Sequence, residues 1–128
     1  MLVAHVVNRN VPRVHPQDDA LSAARQLLES RFGFLPVIDE EEGGARVVGV
    51  FGYRDAFSAT YGRAGRPTTL TVGAAMSPPV CTCCESDTFG QAVRKLRRSG
   101  MDALPVLDGD GYLVGVLSFA DLVHEAAF

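Results

Sequence analysis

The sequence predicts an α+β fold built from two copies of one β-α-β-β-α unit. Residues 3–39 recur as residues 72–108, and residues 47–62 recur as residues 113–128, so the repeat covers nearly the whole 128-residue chain. Each copy contains one segment with the apolar spacing of a helix, followed by two β-prone segments joined by turn residues. Because one unit is written twice, function is expected within a copy or between the two copies.

We place the boundary between the copies after Arg66, which gives repeat domains at residues 1–66 and 67–128. The copies stay in register except between Asp39 and Gly44, where the first copy is longer. A polar loop absorbs such a difference with little cost. We therefore expect a long acidic loop in the first copy and a shorter hairpin turn at Asp108–Gly111 in the second.

The first half of each copy reads as a short strand that leads into a helix, with the strands at Val11–His15 and Val80–Cys84. Asp18-Asp19 would cap the first helix, and Thr88 with Gln91 has the spacing of a capping box. The spacing of the next apolar residues predicts one buried helix face in each copy, formed by Leu21, Ala24, Leu27 and Leu28 in the first and by Phe89, Ala92, Val93 and Leu96 in the second.

The second half of each copy reads as two paired strands and a final helix. The last helices are predicted to begin near Tyr53 and Phe119. The paired strands are predicted at Leu35–Asp39 and Arg46–Phe51 in the first copy, and at Leu104–Asp108 and Tyr112–Leu117 in the second.

Composition narrows the functional classes. The chain is 47% hydrophobic, yet it has no apolar run long enough for a membrane span and no leader-like start, so we expect a cytoplasmic protein away from membranes. The formal net charge is −3, which disfavours nucleic-acid binding. The basic run Arg94-Lys95-Arg97-Arg98 reads as a solvated helix face.

The order and residue content of these segments resemble the CBS domain, the regulatory unit named after cystathionine β-synthase. The second repeat carries the resemblance in the segments 72–78, 80–82, 103–106 and 116–121. The first repeat is looser, since Gly52 stands where the second repeat has Ser118. The resemblance implies a CBS-domain pair, or Bateman module, whose repeats pack about a pseudo-two-fold axis and leave two clefts between them.

The resemblance also implies a function. We expect a stand-alone regulatory module that binds an adenosine nucleotide or derivative, such as AMP, ADP, ATP or S-adenosylmethionine, in the inter-repeat cleft. Such modules commonly pair, so a homodimer and an effector protein that the sequence does not name are expected partners. No cofactor is required and no catalytic residue is expected, because phosphate-binding glycine loops are missing and any nucleotide would be sensed rather than hydrolysed.

The second repeat matches the family's nucleotide-binding segment in Ser118-Phe119-Ala120-Asp121. In the family the carboxylate, here Asp121, accepts hydrogen bonds from the ribose hydroxyls, and the hydroxyl side chain, here Ser118, lies near phosphate. A helix N-terminus also attracts an anion. The adenine would contact Thr82, Ala103, Leu104 and Pro105. The same residues also fit a plain helix cap and ordinary sheet packing.

The first repeat offers a weaker version of this site, because Gly52 replaces the serine. Asp55 keeps the carboxylate, and Arg13 and Arg54 would supply phosphate contacts or stand as surface arginines. The matching base contacts are Phe34, Leu35 and Pro36. We therefore expect two inequivalent clefts, with the better-formed site in the second repeat and the first specialised or empty.

Two other functions compete with nucleotide sensing. One is a ligand-free module for dimerisation and partner docking. The other, a thiol-based metal or redox sensor, would use Cys81, Cys83 and Cys84. Alternation along a strand instead places Cys81 and Cys83 on one apolar face, and a structural zinc site needs four ligands, so no metal site is expected. His124 would lie on the same helix as Asp121, which does not make a triad with Ser118.

Overall fold

The computed structural model describes residues 1–61, 70–79 and 81–126, and it confirms the α+β fold. Within these residues, no helix combines the length and the apolar character needed to cross a membrane. In chain order the elements are a 3₁₀ turn (Val3–His5), α1 (Ala20–Leu28), β1 (Phe34–Glu41), β2 (Gly44–Gly52), α2 (Tyr53–Tyr61), α3 (Val72–Ala75), β3 (Cys83–Cys84), α4 (Phe89–Ser99), β4 (Ala103–Leu107), β5 (Leu113–Ser118) and α5 (Phe119–Ala126).

The described residues group into two compact units. The first unit spans Pro12–Pro79 and contains the antiparallel β1-β2 hairpin with α1, α2 and α3. The second unit joins Met1–Val11 to Val80–Phe128 and contains a β3-β4-β5 sheet with α4 and α5. The boundary predicted after Arg66 lies outside the described residues and stays a prediction.

Each unit combines the body of one copy with the leading segment of the other copy. The leading segments are residues 1–11 in the first copy and residues 70–79 in the second. In the second unit the Val3 amide donates to the Asp87 carbonyl at 2.9 Å. In the first unit the matching residue, Val72, donates to the carbonyl of Asp18, which matches Asp87, at 2.8 Å. Val3 and Val72 are both fully buried. Each leading segment therefore packs with the body of the other copy, so that each unit is completed by residues distant in sequence.

Helix α1 begins as predicted, but its buried face differs. The Asp19 carboxylate accepts from the Ser22 amide at 2.9 Å and caps the helix. Leu27 is buried, whereas Leu21 and Leu28 are 37% and 76% exposed. The prediction that these two leucines are core is wrong, because Ala20, Ala23 and Leu27 form the buried face instead. Helix α4 follows the prediction, with the reciprocal Thr88–Gln91 capping box and with Ala92 and Leu96 buried.

The strands that were predicted to lead into the helices are shorter than expected. In the first unit Val14 alone forms a parallel bridge, opposite Val37, so a full strand over Val11–His15 is wrong. In the second unit β3 covers Cys83–Cys84, and residue 80 of the predicted strand lies outside the described residues. These strands are short because only a few of their residues pair with β1 or β4.

The acidic segment of the first copy is strand rather than loop. Glu41 pairs with Gly44 across a tight turn, which extends both strands beyond the predicted ends. Arg46 supports the extension, because its Nε and Nη2 lie 2.8 and 3.2 Å from the two Glu41 carboxylate oxygens. The exposed carboxylates remain solvated along the hairpin, so the long loop prediction is wrong. The second turn is as predicted, since Asp108 Oδ1 accepts from the Tyr112 amide at 3.0 Å.

Each unit has its own hydrophobic core between its strands and helices. Phe51, Leu27 and Leu35 are the largest fully buried side chains of the first unit's core, and Leu96, Leu104 and Leu117 are those of the second. Burial of a side chain of this size stabilises a fold by about 1.5–3 kcal/mol. Leu35 and Leu104 belong to these cores and lie at the strand ends that carry the candidate site residues.

Candidate functional site

The predicted site residues of the second repeat meet at one end of the second unit's sheet. Ala103 at the start of β4 pairs with Ser118 at the end of β5. Strand β3 runs parallel to β4 with Cys83 opposite Val106, which brings Thr82 to the same end as Pro105. The Phe119 amide donates to the Asp102 carbonyl at 2.7 Å and ties the start of α5 to this strand end.

Ser118 and Asp121 form a compact polar group at the N-terminus of α5. The Asp121 amide donates to Ser118 Oγ at 3.0 Å, and the Ser118 amide approaches Asp121 Oδ2 at 3.4 Å. Ser118 is 8% exposed, so its side chain is held in one geometry. The Ser118 hydroxyl oxygen accepts the hydrogen bond from the Asp121 amide. The hydroxyl hydrogen is not used in this bond and can be donated to another acceptor. A carboxylate offers about four lone-pair positions, so it can accept several donors at once.

The three apolar residues of this site are buried. Leu104 is a fully buried member of the second unit's core, Ala103 is 2% exposed, and Pro105 is also buried. Their side chains therefore serve packing, and the backbone groups of this strand end are what a base could contact.

The first unit brings together the matching residues of the first repeat. Val14 bonds to the Pro36 carbonyl and to the Ile38 amide, at 3.0 and 2.8 Å, which places Arg13 beside β1. Phe34, at the start of β1, pairs with Gly52 at the end of β2. Leu35 is fully buried. These positions reproduce the arrangement of the second unit.

The carboxylate of the first repeat has partners that sequence reasoning did not identify. Asp55 Oδ2 accepts from the Gly52 amide at 2.9 Å. Its Oδ1 accepts from Ser77 Oγ at 2.7 Å. Ser77 belongs to the segment that follows α3, and no pattern in the sequence pairs it with Asp55, which lies 22 residues earlier. The Arg13 side chain is half-buried. The Arg54 side chain is exposed and faces solvent.

The cysteines divide by burial. Cys83 is fully buried, Cys81 is half-buried and Cys84 is exposed, as strand alternation predicts for the last two residues of the run. Burial raises the pKa of the Cys83 thiol to about 12, which keeps it protonated and unreactive at neutral pH. In residues 1–61, 70–79 and 81–126, no three His, Cys, Asp or Glu side chains gather in a way that could hold a metal ion.

Lys95 and Asp87 form an ion pair next to the cysteine segment. The Lys95 ammonium is 2.7 Å from Asp87 Oδ2, and that oxygen also accepts from the Cys84 amide at 2.9 Å. The hydrogen bond to Asp87 raises the pKa of Lys95. Asp87 is 9% exposed, so the carboxylate ties the end of β3 to α4. Within the basic run Arg94-Lys95-Arg97-Arg98, Lys95 is therefore paired with a carboxylate and does not belong to a fully solvated helix face.

Comparisons with known proteins agree with this geometry. A family model of the CBS domain matches residues 3–62 and again residues 72–127. An uncharacterized protein of Methanopyrus kandleri is 25% identical over 122 residues, which cover 95% of this chain and 61% of that protein. The gamma subunit of 5'-AMP-activated protein kinase from Kluyveromyces lactis is 27% identical over 100 residues, or 73% of this chain and 30% of the subunit. The chain thus spans less than two thirds of either relative.

Solved structures show the same fold. The crystal structure of CBSX2 in complex with AMP superimposes with a TM-score of 0.78 at 28% sequence identity, covering 98% of this chain and 96% of that one. The match extends over both repeats. The family model accounts for most of the chain, in two copies. The chain belongs to the CBS-domain family, as a tandem pair of CBS repeats.

Proposed function

We propose that the chain is a regulatory module that binds an adenosine nucleotide at the strand end of the second repeat. The observation that carries the proposal is the Ser118–Asp121 group at the start of α5, beside the backbone of β4. The carboxylate would accept the ribose hydroxyls, and the Ser118 hydroxyl with the helix N-terminus would face phosphate. The likeness to CBSX2, solved with AMP, supports AMP as the ligand to test first.

Replacement of Asp121 with alanine should abolish high-affinity AMP binding. Hydrogen bonds to a charged group contribute about 1.5–3 kcal/mol each, so the loss of the ribose acceptor weakens binding by more than about tenfold. Isothermal titration calorimetry with AMP measures the change. The matched control is Asp55→Ala, which removes the equivalent carboxylate of the first repeat and should retain binding. Wild-type protein that gives no heat with AMP, ADP, ATP or S-adenosylmethionine would contradict the proposal.

A second proposal, association of two copies, is favoured by an exposed apolar surface on the first unit. Helices α1 and α2 border a groove of about 480 Å³, lined almost entirely by apolar side chains. Among the described residues that line it, Arg25 alone carries a charge. Five large side chains of this groove are 37–76% exposed, and these are Leu21, Leu28, Tyr53, Phe57 and Tyr61. We refer to this surface as the α1–α2 groove.

The occupant we propose for the α1–α2 groove is the same groove of a second copy. An aromatic side chain has about 150–250 Å² of surface and a leucine somewhat less, so the exposed fractions of these five side chains amount to roughly 500 Å² per copy. Two copies would bury roughly 1,000 Å² together, the size at which specific interfaces begin. The surface holds both the depression and the projecting rings that could fill it, which is the self-complementarity that a two-fold contact requires. Phe57 and Tyr61 form one such ridge, with ring centroids 5.6 Å apart.

Replacement of Phe57 with lysine is expected to give a monomer, because the new charge would be buried beside Arg25, and the described residues that line the groove include no carboxylate. Analytical ultracentrifugation over a concentration series measures the change. Val123→Lys is the matched control, since Val123 occupies the same repeat position in the second unit and is 55% exposed. A wild-type protein that stays monomeric at every concentration, or a Val123→Lys variant that also dissociates, would contradict this surface as the interface.

A further inference from the structure

The carboxylate of the first repeat is already engaged by the chain itself. Ser77 Oγ donates to Asp55 Oδ1 at 2.7 Å, a contact between residues 22 apart in sequence and partly buried. Ser77 is fixed in place by two backbone bonds to Val50 on β2, with N–O distances of 2.8 and 2.9 Å. The other carboxylate oxygen of Asp55 holds the Gly52 amide. Both oxygens of this carboxylate therefore have protein donors.

The second repeat places its hydroxyl differently. Asn8, which matches Ser77, makes the same pair of backbone bonds to Val116, both at 3.0 Å. Its side-chain oxygen accepts from the Asn10 amide at 3.1 Å, so that oxygen serves its own segment. The hydroxyl at the helix start of the second repeat is that of Ser118, which accepts from the Asp121 amide. Ser77 thus donates to the carboxylate of the first repeat, whereas Ser118 accepts from the helix start of the second.

We propose that Ser77 is a built-in competitor for the ribose hydroxyls at the first repeat and weakens nucleotide binding there. The inference rests on the proposed nucleotide-binding function. A vicinal diol binds a carboxylate best when it donates to both oxygens, and Ser77 already donates to one of them. Bound nucleotide must share or displace the Ser77 hydroxyl. Because Gly52 provides no hydroxyl, the first repeat also lacks the phosphate donor that Ser118 supplies.

The test is the number of AMP molecules bound per chain, measured by isothermal titration calorimetry. Wild-type protein should bind one AMP tightly. Ser77→Ala should bind a second AMP, with an affinity at the first repeat raised roughly ten- to hundredfold, the effect of one charge-assisted hydrogen bond. Ser77→Thr keeps the hydroxyl and should behave like wild type. The double variant Ser77→Ala with Asp55→Ala should return to one site, which locates the gained site at Asp55.

The outcomes separate this inference from the function on which it rests. One bound AMP in both wild type and Ser77→Ala, with circular dichroism confirming that the variant is folded, overturns the competitor role and leaves the nucleotide site standing. Two equally tight sites in wild type overturn it as well. If neither protein binds AMP, both proposals fail. A second site that persists after Asp55→Ala shows that Ser77 acts elsewhere, and it also overturns the inference.

Discussion

Replacing Gly115 with alanine is expected to destabilise the second unit by about 3 kcal/mol or more. A Cβ at this position would overlap the backbone carbonyl oxygen of Asn8 and lie 2.8 Å from its carbonyl carbon. The crowding atoms belong to the Asn8 backbone, which is held by two hydrogen bonds to Val116 and cannot rotate away as a flexible side chain would. The added methyl must therefore separate the N-terminal segment from β5. Urea unfolding followed by circular dichroism measures the loss.

The matched control is Gly109→Ala in the preceding turn. A Cβ at Gly109 would meet no heavy atom within 4 Å, so this variant should unfold within about 0.5 kcal/mol of wild type. Gly49, the matching glycine of the first unit, is also crowded, because a Cβ there would lie 2.9 Å from the Ser77 carbonyl oxygen. Equal unfolding midpoints for Gly115→Ala and Gly109→Ala would show that the N-terminal segment does not lie against β5.

The glycines explain a pattern that the sequence could only describe. Val48-Gly49-Val50 and its counterpart predicted a strand correctly, from β-branched residues in alternation. The sequence does not show why Gly49 and Gly115 are glycines, because the reason lies in their contact with segments distant along the chain. The same holds for the exchange of leading segments. Local periodicity carries no information about which copy completes a core when both copies carry the same residues.

Local chemistry was predicted well, and surface burial was not. The caps at Asp19 and Thr88 involve residues three apart, so the sequence contains all their partners. Leu21 and Leu28 fit a helical apolar stripe as well as Leu27 does, yet they line the α1–α2 groove rather than the core. Spacing alone cannot distinguish an apolar face that the chain covers from one that it leaves to another molecule.

The candidate sites divide in the same way. The Ser118–Asp121 group could be predicted because both residues belong to one helix start. The Ser77–Asp55 contact could not, since it depends on the path of the chain after α3 and on its pairing with β2. The inequivalence of the repeats was expected from Gly52 against Ser118. The structure adds a difference that the sequence did not predict, which is that Ser77 donates to the carboxylate of the first repeat.

The N-terminal segment is an integral part of the second unit. Val3 is fully buried in that core, and its amide donates to the Asp87 carbonyl at 2.9 Å. The Ala4 amide donates to the Glu85 carbonyl at 2.9 Å, and Asn8 adds its two bonds to Val116. These contacts join the N-terminal segment to elements that lie far along the chain, within the part that begins at Val80. A fragment made of residues 67–128 alone would lack them.

Removal of residues 1–11 is therefore expected to cost the second unit about 5 kcal/mol, from the buried side chains of Val3 and Val11 and several backbone hydrogen bonds. That loss is comparable to the whole stability of a small domain, so the second unit should unfold while the first retains structure. Hydrogen exchange read by mass spectrometry distinguishes the two units peptide by peptide.

A pair of point variants keeps the result specific to the packing of this segment. Val3→Ala should destabilise the second unit by about 2 kcal/mol because it empties a fully buried position. Leu2→Ala, at a neighbouring residue that is 38% exposed, should cost less than about 1 kcal/mol. Unchanged exchange in the α4 and β5 peptides after removal of residues 1–11 would contradict the exchanged arrangement. Faster exchange in those peptides, with β1 and β2 protected as before, would show that the second unit needs the leading segment of the other copy.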